Sequence, residues 1–386
     1  MMIPREVRLQ FFGILFGILL ALPSGSLGLV PFPADFVPPA AESSPADGSQ
    51  AEMREIRYRS ALLFFFSNRS VYPLPIDPSH IRLSGQEILA TDLEPYGYDF
   101  VPYLELEPLL QEWRIRSGND LHFDFLAESS RELSLDRLMV ADLVVYADRL
   151  LLLIRAIIPD SGLMAGVDVA ETLIPPEVWD SSAGSQAAWD KEVAKISGEL
   201  ARRWLEVTPR KGQQTLVVLP VSPAGIEAAQ ADLSTHCLLR SLLRLERWVM
   251  PDPSLVVSSL LREGYDPKRL EPMARRSLMS RFNAESILQS HLLSYGIKTE
   301  QRGPRYESED DDGAVGSSPR GVQLPLYLAL MMINGDSGRI IAAGAEYMEP
   351  ESSIGLFGVI KGVMMSRRIQ KGTDRLVSRL PYKEDL

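Results

Sequence analysis

With 386 residues and a formal charge of −11, from 40 Lys and Arg against 51 Asp and Glu, the chain is long enough for two domains and acidic enough to repel a phosphate backbone. Nucleic acid is therefore excluded as a partner class. A hydrophobic content of 45% lets each domain bury a core without metals, and the single cysteine, Cys237, excludes an intramolecular disulfide framework.

Arg5 and Arg8 precede an apolar run from Phe11 to Leu22, and small residues follow as far as Gly28. A basic start, a short apolar stretch and a small-residue exit predict a cleaved signal peptide over 1–28 and a periplasmic or secreted product beginning near Leu27 to Leu29. At 1.5 Å per residue the run covers about 18 Å, short of the ~30 Å hydrocarbon core. An uncleaved N-terminal anchor is the alternative. No cysteine follows the run, so a lipoprotein's acylated cysteine has no place there. Residues 29–55, rich in Pro, Ala and Ser, predict a flexible lead-in.

From Ile56 the signals alternate. Residues 60–67 (SALLFFFS) predict a strand, 80–93 a helix, 98–106 a strand, 109–115 a short helix and 126–139 a helix. Residues 142–158 form a nearly continuous apolar run interrupted by Asp148 and Arg149. A Pro159-Asp160-Ser161-Gly162 turn leads into a strand over 163–169, and 188–205 places Val193, Ile196, Leu200 and Trp204 on one helical face. The second half repeats this order. It predicts a strand over 215–221, helix 226–245, short strand 247–250, and helices 255–261 and 270–282. Strands 286–297, 322–333 and 340–348 follow, then a closing helix over 359–380 with a break at Gly372.

Local text repeats as well. Asp-Ser-Gly follows a long apolar run and precedes a small-residue strand at both Asp160 and Asp336; Gly118-Asn119-Asp120 matches Gly264-Tyr265-Asp266, and Ala141–Val144 matches Ala284–Ile287. One common turn proves nothing, but the same turn in the same slot of two parallel element orders predicts duplication. The expected fold is α/β, two tandem copies of a small sandwich (β-α-β-α-α-β-β-β-α, mixed sheet) over 56–207 and 213–386. The second copy carries an acidic insertion over 298–321, with Glu307, Glu309 and Asp310 to Asp312. It reads as a solvated hairpin loop, since it lacks the ligand alternation and glycine turn of a calcium loop.

Four stretches of the second half, TLVVLPVSP, LLREGYDPKRLEPMARRSLMSRFNAESILQSHLLSYG, PLYLALMMINGDSGRIIAAG and GVIKGVMMSRRIQKGTDRLVSRL, resemble the small α/β domain of bacterial envelope proteins of the CsgG, TolB N-terminal and LpoB kind. The first half matches more loosely, through LSLDRLMVADLVVYADRL and IIPDSGLMAGVDV. The resemblance implies a periplasmic scaffold or binding module. Two departures matter: the lipid-anchor cysteine is missing, and nothing resembles the membrane-spanning hairpin of CsgG.

No pattern nominates chemistry. His80, His122, His236 and His291 form no metal-spaced pair, and no serine elbow, phosphate loop or dinucleotide fingerprint occurs. Cys237 falls on the apolar stripe of Ala229 and Leu233 and reads as a buried small hydrophobe. Asp160 and Asp336 read as turn formers, and Arg275, Arg276, Arg367 and Arg368 as solvated helix faces. No catalytic residue, cofactor or metal is assigned. The stretch Ile354 to Met365 (IGLFGVIKGVMM) is apolar with three glycines. Either it packs on the sheet as it enters the closing helix, or it stays exposed with Leu356, Phe357 and Ile360 as an interaction surface. The expectation is a non-catalytic exported module binding other envelope proteins, with peripheral membrane contact and oligomeric state left open. The alternative is a hydrolase of an envelope polymer, with its site between the two repeats.

Overall fold

The computed structural model describes residues 57–70, 73–179, 184–210, 212–224, 226–294, 326–348, 352–354, 360–362 and 364–381. The expected signal peptide, the lead-in and the acidic insertion over 298–321 lie outside the described residues. In the first half β1 (Tyr58–Asn68) is followed by α1 (Pro78–Leu93), β2 (Tyr98–Phe100), α2 (Tyr103–Glu112), α3 (Phe123–Leu133), β3 (Arg137–Tyr146), β4 (Arg149–Ile158), β5 (Leu163–Leu173), α4 (Pro176–Trp179) and α5 (Ser185–Arg203). The second half runs β6 (Gln214–Val218), β7 (Ser222–Ala224), α6 (Ala228–Arg244), β8 (Trp248–Val249), α7 (Pro253–Arg262), α8 (Pro272–Phe282), β9 (Ser286–Ser294), β10 (Leu326–Asn334), β11 (Ile340–Met348), the short hairpin β12 (Ser352–Ile354) and β13 (Ile360–Gly362), and α9 (Met365–Val377).

The chain is a mixed α/β protein with two mixed sheets. The first sheet has the order β2-β1-β3-β4-β5, with β1 parallel to β2 and β3 and the remaining pairs antiparallel. The second has the order β8-β6-β9-β10-β11 with the same senses, and β7 adds to β9. Pro220, which cannot donate to a ladder, separates β6 from β7. Local devices recur at matching places. The α3 and α8 helices end in left-handed residues, Ser134 (φ 51°) and Asn283 (φ 45°), just before their parallel strands. Register shifts fall between Ala156 and Ile157 in β4 and between Met332 and Ile333 in β10. The turns that follow carry Asp160 and Asp336 and close with Gly162 (φ 67°) and Gly338 (φ 69°), a conformation that glycine adopts without a Cβ penalty.

Several boundaries differ from the sequence reading. The helix expected to reach Met139 stops at Leu133, because Arg137 to Met139 pair in register with Ser60 to Leu62 of β1. Only Tyr98–Phe100 of the 98–106 stretch is strand; Pro102 starts α2. Gly264 (φ 82°) follows α7 and Arg114 (φ 54°) follows α2, each two residues past its helix, whereas Gly118–Asp120 is a 3-10 turn before α3. The closing helix begins at Met365 because Ile354 pairs with Ile360 in a hairpin. Gly372 does not break it: that glycine lets Met348 pack so close that a Cβ would sit 2.5 Å from its sulfur.

The layers follow from which face each strand makes apolar. On one side of the first sheet, α1 and α5 cover Leu62, Phe64, Leu152 and Ile154 with Leu89, Trp189 and Ile196. On the other side, α2 and α3 cover Leu63, Leu138 and Val140 with Leu106, Phe125 and Leu126. The β4–β5 part of that second face is covered from the other half of the molecule. Leu151, Leu153, Met164, Val167 and Val169 share one core with Leu238, Leu239 and Leu242 of α6, which also packs with α9 on Leu216, Leu288, Leu328 and Leu330 of the second sheet. The far face of the second sheet is covered over β6 and β9 by α7 and α8, through Val256, Leu260 and Leu278. One helix, α6, is thus packed against both sheets. Truncating Leu239 (1% exposed) to Ala is expected to lose about 2–5 kcal/mol and to lower one shared unfolding transition. Urea unfolding by circular dichroism, with hydrogen exchange read separately in β3–β4 and β9–β10, checks this. Two separated transitions would contradict the shared core.

Candidate functional site

Where the two sheets meet through α6, a cavity of about 220 Å3 opens, lined by residues of both halves that include Asp142, Arg155, Asp232, His236 and Ser254. Its centre is Arg155, the charged residue inside the apolar strand β4. The Nε donates to Asp252 Oδ2 (2.6 Å), Nη2 to the Gly118 carbonyl (2.5 Å), and Nη1 reaches Asp142 Oδ2 at 3.5 Å. Asp252 also caps α7, accepting from the Ser254 amide (2.9 Å) and the Ser254 hydroxyl. Backbone bonds stitch the same seam: Met164 N donates to Met250 O (2.8 Å) and Asp252 N to Gly162 O (3.0 Å). Arg155 and Asp252 are both fully enclosed, so their charges depend on each other.

Other polar links cross the same boundary. Arg240 of α6 meets Asp168 of β5 at 3.1 Å; burial raises the Asp168 pKa against the pull of Arg240 and Arg203. Glu171 of β5 accepts from the Ser366 amide at the start of α9 (2.7 Å) while paired with Arg149. Arg69 pairs with Asp232 of α6 (2.8 Å) at the cavity mouth. Below the first sheet, Glu206 accepts from Arg137 Nε (2.5 Å) and from the Tyr98 hydroxyl, to which Trp204 Nε1 donates (2.7 Å). Burial, followed by the Glu206 charge, pushes the Tyr98 hydroxyl up.

The chemical capacity of the cavity is limited. His236 Nδ1 lies 2.9 Å from the Asp232 carbonyl, which only accepts, so Nδ1 carries the proton and Nε2 is an acceptor; it has no partner among the described residues. Burial, then the Arg155 charge, lowers the His236 pKa to about 4, leaving it neutral near pH 7. Burial raises the Asp142 carboxyl, partly offset by Arg155. Among the described residues no serine bonds to His236, and no group of three His, Cys, Asp or Glu is placed to hold a metal. Elsewhere, His80 faces Asp190 (3.3 Å) and Gln186 on the outer surface, and His122 caps α3 by accepting from Phe125 N (3.3 Å).

The residues singled out from sequence fall as follows. Cys237 is buried, its thiol pushed up by burial and 3.8 Å from the Ser366 carbonyl. Asp160 sits in its turn and accepts from Ser130 (2.6 Å). Arg276 and Arg367 are exposed and Arg275 is half-buried, but Arg368, expected on a solvated face, is buried and donates to the Met348 carbonyl. The reason is position: it lies on the sheet-facing side of α9. Leu356 and Phe357 lie outside the described residues, and Ile360 is placed only as backbone of β13, paired with Ile354. Sequence reasoning missed Arg155, Asp142, Asp252 and His236. A lone arginine inside the apolar run from Leu150 to Ile158 was the available signal, because such a charge needs a buried partner.

No family model matches the sequence, and no curated protein matches it. Among solved structures the chain is similar to the PelC dodecamer from Paraburkholderia phytofirmans (8% identity, 44% of this chain and 90% of that one, TM-score 0.27). It is also similar to the lipoprotein GNA1162 from Neisseria meningitidis (11%, 35% and 81%, TM-score 0.25) and to the LpoB C-terminal domain from Salmonella enterica (12%, 36% and 85%, TM-score 0.23). No helix of the described residues is long and apolar enough to cross a membrane.

Two changes probe the seam. Replacing Arg155 with Met strands the Asp252 carboxylate and is expected to lose ~3–5 kcal/mol in urea unfolding, while the double change with Asp252→Asn recovers part of it. His236 gives a pH signature. Its folded pKa of about 4 lies below the 6.5 of an ordinary histidine, so the unfolded chain takes the proton first. Its contribution is complete above about pH 6.5 and declines by about 1.4 kcal/mol per unit as pH falls toward 4. The raised Asp142 acts in the opposite sense, so comparison with His236→Gln isolates the histidine. Equal slopes in the two proteins would refute the assignment.

Proposed function

We propose that this chain is a non-catalytic, exported envelope protein built from two copies of one domain, 56–207 and 213–386, and that it acts by binding other proteins. One observation carries the reading: on the face of the second sheet that α7 and α8 cover over β6 and β9, β11 leaves its apolar residues exposed, although Ile333 of neighbouring β10 is buried. Ile340 is 54% and Tyr347 44% exposed, and Ala343 and Ala345 between them are exposed as well. Apolar residues grouped on one sheet face favour a partner that removes them from water. The cavity supports the same reading, since its charged groups are engaged with one another across the seam and its histidine is a weak base.

The hydrolase alternative would need a nucleophile or carboxylate pair free to meet substrate, and the cavity groups support it poorly. The stretch between β12 and β13 in the sequence, to which Leu356 and Phe357 belong, is a second candidate contact, toward a partner or a membrane surface. For the test, the full chain is immobilised and incubated with a solubilised envelope fraction. Ile340→Glu with Tyr347→Glu is expected to cut capture about tenfold or more, with the melting temperature nearly unchanged because both side chains are exposed. Serine at Leu356, Phe357 and Ile360 tests the hairpin in parallel. Undiminished capture by both variants would reject the binding surfaces, and hydrolysis of an envelope polymer would reject the non-catalytic reading.

A further inference from the structure

We infer that this exposed face of β11 is a self-association surface, and that its occupant is the α1 side of a second copy of this chain, joined head to tail. This rests on the binding role given to that face and names its partner. Such an interface already exists once inside the molecule, and its two halves recur, separated, at the two ends.

The strand registers make the equivalence explicit. In the first sheet the rows Val144–Leu151–Glu171, Asp142–Leu153–Val169, Val140–Arg155–Val167 and Leu138–Ile157–Met164 run across β3, β4 and β5 on one face. In the second sheet the matching rows across β9, β10 and β11 are Leu293–Tyr327–Tyr347, His291–Ala329–Ala345, Gln289–Met331–Ala343 and Ile287–Ile333–Ile340. Met164, Val167, Val169 and Glu171 are 1%, 4%, 4% and 7% exposed, because α6, the start of α9 and the segment after β8 cover them. Their counterparts Ile340, Ala343, Ala345 and Tyr347 are all exposed. The edges differ in the same way. The outer edge of β5 is closed by the Leu163–Pro251 and Gly166–Glu206 bridges, whereas among the described residues no backbone hydrogen bond closes the outer edge of β11.

The complementary half lies at the other end. Tyr58 pairs with Tyr98 as Gln214 pairs with Trp248, so Phe100 and Val101 correspond to Met250 and Pro251. On the helices, Gly85 against Phe64 and Thr235 against the Val221 amide mark the sheet-facing turn, so Gln86 corresponds to His236. Where the second half receives the first sheet, the first half offers an open hollow whose lining includes Leu83, Gln86, Glu87, Ala90, Phe100 and Tyr103. Leu83 is 52% and the neighbouring Leu104 78% exposed. Polarity changes on both sides together. Arg155 and Asp252, the ion pair of the internal seam, correspond to Met331 and Pro102. At that position a second copy would set Met331 against Pro102, apolar against apolar. Such an interface is heterologous, so repetition gives chains or closed rings instead of an isologous dimer.

Sedimentation velocity of the full chain across the micromolar range tests this, with two variants. The tail variant carries Ala345→Arg and Tyr347→Asp, and the head variant Leu83→Asp and Leu104→Asp; all four sites are exposed, and unchanged melting temperatures verify folding. The wild-type chain is expected to associate with concentration. Each variant alone is expected to weaken association about tenfold or more. Mixed together, the two variants are expected to form a one-to-one heterodimer and stop, because only one intact head and one intact tail remain. A monomeric wild type, association indifferent to both variants, or a mixture that fails to combine would overturn the proposal. If the chain is monomeric but the tail variant still loses capture of envelope proteins, self-association falls while the binding role stands; if capture is also unaffected, both fall.

Discussion

The structure depends on one helix having to satisfy two sheets. A surface helix needs a single apolar stripe, but α6 is packed against the second sheet on one side and the β4–β5 face of the first on the other, with α9 alongside. Its sequence meets that demand by being apolar or small almost all round: Ala229, Ala231, Leu233, Ser234, Thr235, Cys237, Leu238, Leu239, Ser241, Leu242 and Leu243 are all buried. The small residues let neighbours approach. Ser241 bonds Thr373 (3.0 Å) and Asp374 (2.6 Å) on α9, and Thr235 receives the Val221 amide (2.9 Å). The charges that remain are at the margins, where Asp232 meets Arg69 and Arg240 meets Asp168.

Two halves joined by a greasy helix alone could slide. The polar groups at the seam act against that, because each has a direction. Arg155 aims at the cap of α7, and the Glu171 carboxylate accepts the amide at the start of α9. A displacement of the halves would leave these groups buried without partners, a penalty of several kcal/mol per charge. Apolar packing thus supplies most of the attraction, and the buried polar contacts select one arrangement.

Much of this was legible in the sequence, and the legible parts share a cause. Strand runs such as 60–67 and the Asp-Ser-Gly turns are local: alternation, apolar length and a glycine with positive φ are visible within a dozen residues. The illegible parts are long-range. Arg155 and Asp252 are separated by 97 positions, and nothing near either names the other. Arg368 looked solvated because its neighbour Arg367 is; only the docking of α9 decides which of the two turns inward. The segment from Ile354 misled differently. Its apolar spacing suits a helix, yet its glycines suit a turn, and the Ile354–Ile360 pairing resolves the conflict toward a hairpin. His236 carried no motif because its character comes from enclosure, which sequence does not display.

The cover that α6 gives to β4 and β5 also sets an order in time. A ribosome releases the first half before the second, and domains generally start folding in that order. When β5 has formed, Leu151, Leu153, Val167 and Val169 already line a finished sheet face, but the helix that shelters them lies more than fifty residues downstream and has yet to emerge. Through that interval the nascent chain presents a ready-made sticky surface, for which a holdase would be the natural shelter.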